Sequence, residues 1–181
     1  RNDRPVPIRE RQAEFLGDAL GHFGCPLGSV RQEVIQEVAD FDIADDDVRL
    51  AQVGARAVGK ASHVCEIMVG WANERKQFNT KIGDFQMVQQ MIADSWIDLE
   101  TFRLLVLRTA WRIDKYNDYK RVRKDIATAK VLMPTVLHDI AWRAMQVHGA
   151  LGVSNEMPFL GMIMAAGVMG LADGPTEVHK V

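Results

Sequence analysis

The sequence predicts an all-α protein, an antiparallel, up-and-down bundle of the four-helix type. Three observations lead to this fold class. Apolar residues recur every three or four positions along the chain, and no run shows the alternation typical of strands. Gly, Pro and acidic clusters divide the chain into long segments, three of which are about 27 to 30 residues long. The connections between these segments are short, which makes consecutive helices antiparallel neighbours in a bundle.

The first part of the chain predicts two amphipathic helices, over residues 6–24 and 29–41. The breaker "CPLGS" separates them, and Ser29 can cap the second helix. The acidic "DIADDD" that follows favours a helix start, because carboxylates interact well with the positive end of a helix dipole. We divide the chain into residues 1–47, a helical segment of unclear relation to the rest, and a bundle over residues 48–181.

Three long helices and a shorter one are predicted in that bundle. The long helices run from Val48 to about Arg75, from about Phe85 to Asp114, and from about Val122 to His148. Asn79–Asp84 and "KYNDYKR" separate them, and Pro134 predicts a kink or a displaced hydrogen bond inside the third. A short apolar helix then ends near Ala172, an Asp-Gly-Pro turn follows, and a further helix is predicted from Thr176.

Charge and hydropathy exclude several classes of protein. Twenty-two Lys and Arg against 24 Asp and Glu give a net charge of −2, which offers no surface for nucleic acid or an anionic membrane. The uncharged run from Met157 to Ala172 is shorter than the roughly 20 apolar residues that a membrane span needs. The first twelve residues are too charged for a signal peptide. We expect a soluble protein of a reducing compartment, the cytoplasm or a mitochondrial or peroxisomal matrix.

The sequence lacks the residue patterns of several kinds of catalytic site. A di-iron bundle needs Glu-x-x-His, which does not occur, and the five histidines lie singly, so no metal site is expected. Each of them is interpreted as a surface or cap residue. The chain contains no GxSxG, no P-loop and no glycine-rich nucleotide fingerprint after a strand.

Three short segments remain, and each has a simple structural interpretation. In "NERKQFNTKIGDFQ", Arg75 suits the negative end of a helix dipole. In "QVHGALG", Gly149 and Gly152 can terminate a helix. In "ADGPTEV", Asp173 can cap a helix that begins at Pro175. The apolar segment before Asp173 is unusual for a surface turn, however, and predicts an apolar setting for this carboxylate.

Taken together with "RAVGKA", "IAD", Ala129-Lys130 and "GVSNEMP", these segments resemble the C-terminal helical domain of the acyl-CoA dehydrogenases. The resemblance runs from about Val48 to Val181 and is strongest to the branch whose last motif reads ADGPxEVH. It implies FAD-dependent α,β-dehydrogenation of an acyl-CoA thioester by this domain together with a flavin domain, on the same chain or on a partner. It also implies a homodimer or homotetramer and an electron-accepting flavoprotein.

The resemblance also assigns residues to roles. Asp173 stands where the family has its catalytic base, a Glu before a Gly, and the Gly174 N–H would face the thioester carbonyl. FAD in this family lies in a cleft completed by bundle helices of a neighbouring subunit. The residues implied in binding it are Arg75, Lys76, Gln77, Phe78, Gln86, Gln146, Gly149, Ala150, Thr176 and Glu177.

Some positions depart from the family pattern. Ala150 replaces the second Gly of a Gly-Gly pair, and Met164, Ala165 and Gly167 stand where charged residues are common. An alternative function is therefore a bundle without catalysis, used for oligomerisation or regulation. An unrelated structural bundle is a third possibility.

Overall fold

The computed structural model describes residues 46–181, and the two helices predicted before residue 46 lie outside this range. The all-α class is confirmed within it. Four helices are present: α1 (Asp46–Glu74), α2 (Gln86–Tyr116), α3 (Tyr119–His148) and α4 (Phe159–Leu171). A two-stranded hairpin, β1 (Lys76–Gln77) and β2 (Thr80–Lys81), joins α1 to α2, and 3-10 turns occupy Ile82–Asp84, Gly149–Val153 and Val178–Lys180.

Helix α3 is the centre of the bundle, because it packs against each of the other three helices. Leu137, Ile140 and Ala144 are fully buried on it and meet the apolar face of α1, which carries Val64 and Met68. The α1 face also contains small residues, which lets the two helices approach closely: Ala57, Ala61 and Ala72. Leu99, Phe102 and Val106 of α2 complete this core.

The connection between α2 and α3 is tighter than predicted. Only Asn117 and Asp118 separate the helices. Asn117 ends α2 in the left-handed conformation, which Asn tolerates, and its N–H donates to Ile113 O. The Asp118 side chain caps α3 by accepting from the Lys120 N–H at 3.0 Å. The helices are therefore separated without a glycine, because Asn117 in the left-handed conformation is followed directly by Asp118 as the N-cap residue of α3.

Two further expectations differ from the structure. The predicted connection after Arg75 is partly a hairpin, in which Lys76 pairs with Lys81 and Gln77 with Thr80. The helix predicted from Thr176 is a single 3-10 turn whose N-cap is Glu177, so Asp173 is not its cap. Strands of two residues are too short to show any alternation, which explains why the sequence pattern missed them.

Truncation of Leu137 tests the central position of α3. Leu137 is 0% exposed, so Leu137→Ala is expected to lower the free energy of unfolding by about 2–5 kcal/mol. Leu104→Ala removes the same atoms from a side chain on α2 that is 60% exposed, and should cost less than about 1 kcal/mol. Urea denaturation measures both. Equal losses in the two variants would contradict the packing described here.

Candidate functional site

The hairpin between α1 and α2 holds four of the residues implied in cofactor binding. Arg75, Lys76, Gln77 and Phe78 follow one another directly after the end of α1, and all are exposed. The Arg75 carbonyl accepts from the Ile82 N–H at 2.9 Å, which closes the base of the hairpin. With its amide oriented for hydrogen bonding, Gln77 accepts from the Arg75 guanidinium at 3.0 and 3.2 Å. These contacts position a planar cation at the end of the bundle.

Phe78 occupies a strained position at the tip of the hairpin. Both turn residues have positive φ, 52° at Phe78 and 63° at Asn79. A bulky residue rarely adopts this conformation, and holding it costs on the order of 1–3 kcal/mol. The Phe78 ring is nevertheless 91% exposed, so no burial within the described chain compensates the strain. Strain of this kind concentrates at binding sites, where a ligand or partner covers the side chain.

Lys76 and Lys81 bring two like charges together on this hairpin. They are directly paired across its two strands. Like charges in opposite positions destabilise a hairpin unless an anion or a carboxylate lies between them. Together with Arg75, they make the hairpin a cationic surface, although Glu74 and Asp84 lie at its two ends.

A stack of aromatic rings connects this hairpin with the glycine-containing turn after α3. The Arg75 guanidinium lies over the Trp71 ring at 5.7 Å. Trp71 stacks on His148 with centroids 5.2 Å apart, and His148 meets Phe159 of α4 at 4.7 Å. The ends of α1 and α3 and the start of α4 therefore form one packed unit.

The turn after α3 begins at this stack. Gly149 ends the helix with φ 62°, and Gly152 is buried where an added Cβ would collide with the Met145 carbonyl oxygen. The helix-terminating role predicted for Gly149 is confirmed, whereas Gly152 lies within the 3-10 turn that follows the helix. Gln146, Gly149 and Ala150 are exposed, so the backbone and the amide are accessible at the surface. Gln86, the first residue of α2, is also exposed, and Phe85 separates it from the 3-10 turn that follows the hairpin.

His148 differs from the surface or cap residue that the sequence predicted. It is only 6% exposed, and its Nδ1 donates to the Ala144 carbonyl oxygen at 2.7 Å. Nε2 is then an acceptor, and it is buried without a hydrogen-bond partner among the described residues. Burial lowers the pKa of His148, and the bond to Ala144 opposes that shift. The apolar residues around His148 in the sequence are the pattern of a buried position, and this pattern is the signal for its burial.

Asp173 lies at the opposite end of α4 from this stack. Helix α4 has 13 residues and therefore separates the two regions by about 20 Å. Asp173 and Gly174 both have positive φ, 54° and 99°, in a turn that Thr176 closes by donating twice to the Gly170 carbonyl oxygen, from N–H and from Oγ1. Glu177 is exposed beyond this turn. The implied residues therefore form two groups, which do not share a pocket in the described chain.

The apolar surroundings predicted for Asp173 are absent from residues 46–181, where its side chain is exposed. The apolar segment forms α4, and only part of it packs against the core, because Met164, Val168 and Leu171 are 74%, 63% and 70% exposed. Helix α4 meets α3 on one side, and no other part of residues 46–181 covers its uncharged outer face. A concave region of about 430 Å³ lies elsewhere, between Lys60 of α1 and Met157, Leu160 and Met162 near the start of α4.

Comparisons with known proteins identify the relatives of this chain. The family model of the acyl-CoA dehydrogenase C-terminal domain matches residues 48–181. The chain belongs to the acyl-CoA dehydrogenase family. It is 34% identical to (R)-benzylsuccinyl-CoA dehydrogenase of Thauera aromatica over 201 aligned residues, covering 99% of this chain and 49% of that protein. The chain thus spans about half the length of this relative.

Two further relatives support the same family and the same fold. Acyl-CoA dehydrogenase family member 11 of Rattus norvegicus is 41% identical over 124 residues, which cover 68% of this chain and 16% of that protein. The solved structure of PigA with FAD and proline superposes with a TM-score of 0.69 at 25% identity, covering 74% of this chain and 34% of that one. Among residues 46–181, none of the helices has the length and apolar composition to cross a membrane, and no cluster of three or more metal-ligating side chains occurs.

The buried imidazole predicts a pH dependence of stability. The folded chain holds a proton on His148 less well than the unfolded chain, whose pKa is near 6.5. Protonation therefore favours unfolding, and the free energy of unfolding should fall as the pH falls below about 6.5, by at most about 1.4 kcal/mol per pH unit from this group. His148→Phe keeps a ring between Trp71 and Phe159 and should flatten this slope in urea denaturation.

The exposed His63 provides the control for that measurement. His63→Gln removes an exposed imidazole from α1 and is the comparison for the loss of a histidine. A His148→Phe variant with an unchanged slope would show that the buried imidazole does not govern acid stability.

Proposed function

We propose that this chain is the C-terminal domain of an FAD-dependent acyl-CoA dehydrogenase, which removes hydrogen from the α and β carbons of an acyl-CoA thioester. The observation that carries the proposal is the family match over residues 48–181, which includes the Arg75, Gln146 and Asp173 segments. The proposed oxidation needs a flavin domain, on the same polypeptide or on a partner, and an electron-accepting flavoprotein. The substrate is proposed only as an acyl-CoA.

The residues around the hairpin fit the diphosphate and ribose of FAD. Arg75 supplies a permanently charged planar fork, and Gln77 holds it in place through two hydrogen bonds. A bound diphosphate would also relieve the repulsion between Lys76 and Lys81 across the hairpin. Phe78 would cover a face of the cofactor, which gives its strained and exposed position a purpose. We assign Gln86, Gln146, Gly149 and Ala150 to the same cofactor surface, and Thr176 and Glu177 to the cofactor beside Asp173.

The separation between the hairpin and Asp173 favours an oligomer. The hairpin and Asp173 of one chain are about 20 Å apart. Both can therefore contact the same FAD only if that FAD lies along α4. In a homodimer or homotetramer, the hairpin of one chain would bind the cofactor that serves Asp173 of another. The exposed apolar face of α4 and the strained Phe78 would then be covered by neighbouring domains.

Asp173 is proposed as the general base of the reaction. Its carboxylate would take the proton from the α carbon, and the Gly174 N–H would donate to the thioester oxygen on which negative charge develops. Gly174 suits this role because its φ of 99° turns the N–H away from the regular backbone direction. Bound FAD supplies the acceptor for the hydride that leaves the β carbon. The apolar outer face of α4, once covered, would exclude water from the reaction.

The proposed location is the cytoplasm or a mitochondrial or peroxisomal matrix. Cys65 supports a reducing compartment, because it is a free, buried thiol whose pKa burial raises to about 12.

A second candidate is a non-catalytic family member used for oligomerisation or regulation. The uncharged outer face of α4 favours it, because Met164, Ala165 and Gly167 supply no polar group for a substrate. Flavin absorbance of the intact native protein that carries this chain separates the two candidates. A colourless protein that reduces no dye with any acyl-CoA would support the second and end the first.

The base assignment predicts the behaviour of Asp173→Asn in the flavin-containing protein. The variant should retain FAD, because the amide keeps the shape of the turn, but should lose exchange of the α-proton of bound acyl-CoA by at least about 100-fold. Proton exchange is measured by NMR in deuterated water. Glu156→Gln, the same amide change at an exposed carboxylate outside the assigned cofactor residues, is the comparison for charge effects on FAD retention. Exchange at the unmodified rate in Asp173→Asn would refute the assignment.

The cofactor assignment predicts weaker FAD retention in Arg75→Ala. Loss of a charge-assisted contact to the diphosphate should raise the dissociation constant for FAD at least about tenfold. Equilibrium dialysis of the flavin-containing protein measures this directly. Arg123→Ala, at an exposed cation on the far part of α3, should leave FAD affinity unchanged. An unaltered affinity in Arg75→Ala would remove Arg75 from the site.

A further inference from the structure

Lys130 is a buried cation whose burial the proposed reaction does not explain. It lies on α3 and is only 3% exposed. Long charged side chains are almost never this buried unless a partner compensates the lost hydration. Its Nζ donates to the carbonyl oxygen of Met169, which belongs to the last turn of α4. The residue therefore joins the central helix to the end of the helix that precedes Asp173.

The end of α4 is fully organised around three carbonyl groups. Carbonyls in the last turn of a helix have no regular partner and need donors from elsewhere. Val168 O accepts from the Ala172 N–H at 2.8 Å, and Gly170 O accepts from the Thr176 N–H at 3.0 Å. Lys130 supplies the donor for Met169 O. A cation in this place also interacts favourably with the negative end of the helix dipole.

Pro134 fixes the same region from the next turn of α3. A Cβ added to Gly170 would lie 3.6 Å from Cβ and Cγ of Pro134, which is ordinary contact distance. Gly170 therefore lies against the Pro134 ring, and the last turn of α4 contacts α3 at two successive points. Lys130 provides the polar contact and Pro134 the apolar one.

Asp173 lies two residues beyond the end of α4 and interacts with Lys130. Burial lowers the pKa of Lys130, and attraction to the Asp173 carboxylate opposes that shift. The Asp173 carbonyl oxygen accepts from His179 Nε2 at 3.1 Å on the other side of the turn. Lys130 and His179 thus both contact this region, at Met169 O and at Asp173 O.

We propose that Lys130 is a positioning residue for Asp173: its ammonium group fixes the last turn of α4 and holds the carboxylate by charge attraction. The role in catalysis depends on the proposed function of Asp173 as base, whereas the effect on the turn does not. Lys130 does not touch the reacting atoms in this proposal. It sets where the carboxylate lies.

The first test uses the full 181-residue chain without any flavin. Lys130→Met keeps the length of the side chain but removes its charge and its donor, and the Thr176 amide should exchange with deuterium about tenfold faster. Lys124→Met changes an exposed lysine on the same helix and should leave that rate unchanged. Lys130→Arg restores a donor and a charge, and should recover at least part of the protection.

The second test measures the charge interaction between Lys130 and Asp173. A purely structural role of Lys130 would predict no change in this measurement. In Asp173→Asn, the pKa of Lys130, followed by NMR of its side-chain carbon next to Nζ, should fall further than in the unmodified chain because the attractive carboxylate is gone. Unchanged Thr176 exchange in Lys130→Met, or an unchanged Lys130 titration in Asp173→Asn, would overturn the proposal.

Measurements in the flavin-containing protein separate this proposal from the proposed function. Lys130→Met should retain FAD and slow α-proton exchange at least about tenfold, and Lys130→Arg should recover part of the rate. If both tests on the chain give the expected results but Asp173→Asn exchanges the proton normally, Lys130 positions the turn and Asp173 is not the base. If Asp173→Asn abolishes exchange while the chain tests fail, the base stands and the role of Lys130 is refuted.

Discussion

The packing of α3 against all three other helices is the constraint on which the rest of the bundle depends. A polar side chain that is buried on such a helix needs a partner on a neighbouring helix. Asp125 is buried and meets two arginines of α2, Arg108 at 2.6 Å and Arg112 at 3.0 Å. Lys130 donates to the end of α4, and His148 stacks on α1 and α4. These three buried polar side chains therefore each lie at a contact between α3 and a neighbouring helix. They fix the register of α3 against its neighbours, whereas apolar packing alone would allow the helices to slide.

The fold was predictable from the sequence because long helices with a buried face leave a strong periodic signal. Val64 and Met68, like Leu137 and Ile140, are apolar residues spaced three or four positions apart, and all four are fully buried. Helix ends were less predictable. The break at Asn117 depends on one left-handed residue followed by a capping Asp, and the Lys76–Lys81 hairpin depends on two strained turn residues. Such features have no period and involve only two residues each.

The candidate site was predicted by resemblance in sequence, and only part of it follows from the geometry of one chain. The Arg75 segment and the Gly149 segment lie in one packed unit because Trp71 and His148 join them, a contact that no spacing in the sequence revealed. Asp173 lies apart, and residues 46–181 supply no apolar enclosure for it, because Met164, Val168 and Leu171 are exposed on the outer face of α4. Whether the Asp173 carboxylate is enclosed depends on what covers α4. The sequence of this segment specifies only that the outer face of α4 is apolar.

The tip of the hairpin carries a consequence for how this chain can evolve. An Asn-Gly pair would relax the backbone at positions 78 and 79, and selection for folding alone would favour it. The chain instead has Phe78 there, in a backbone conformation that a bulky residue disfavours. Its ring is almost fully exposed, so no neighbour in the described bundle compensates the strain. The ring at position 78 lowers the local folding stability. It persists only under selection for binding a ligand or partner outside the bundle. Among natural variants of this domain, loss of the ring together with gain of glycine at the tip would therefore mark lineages that no longer bind whatever covers it.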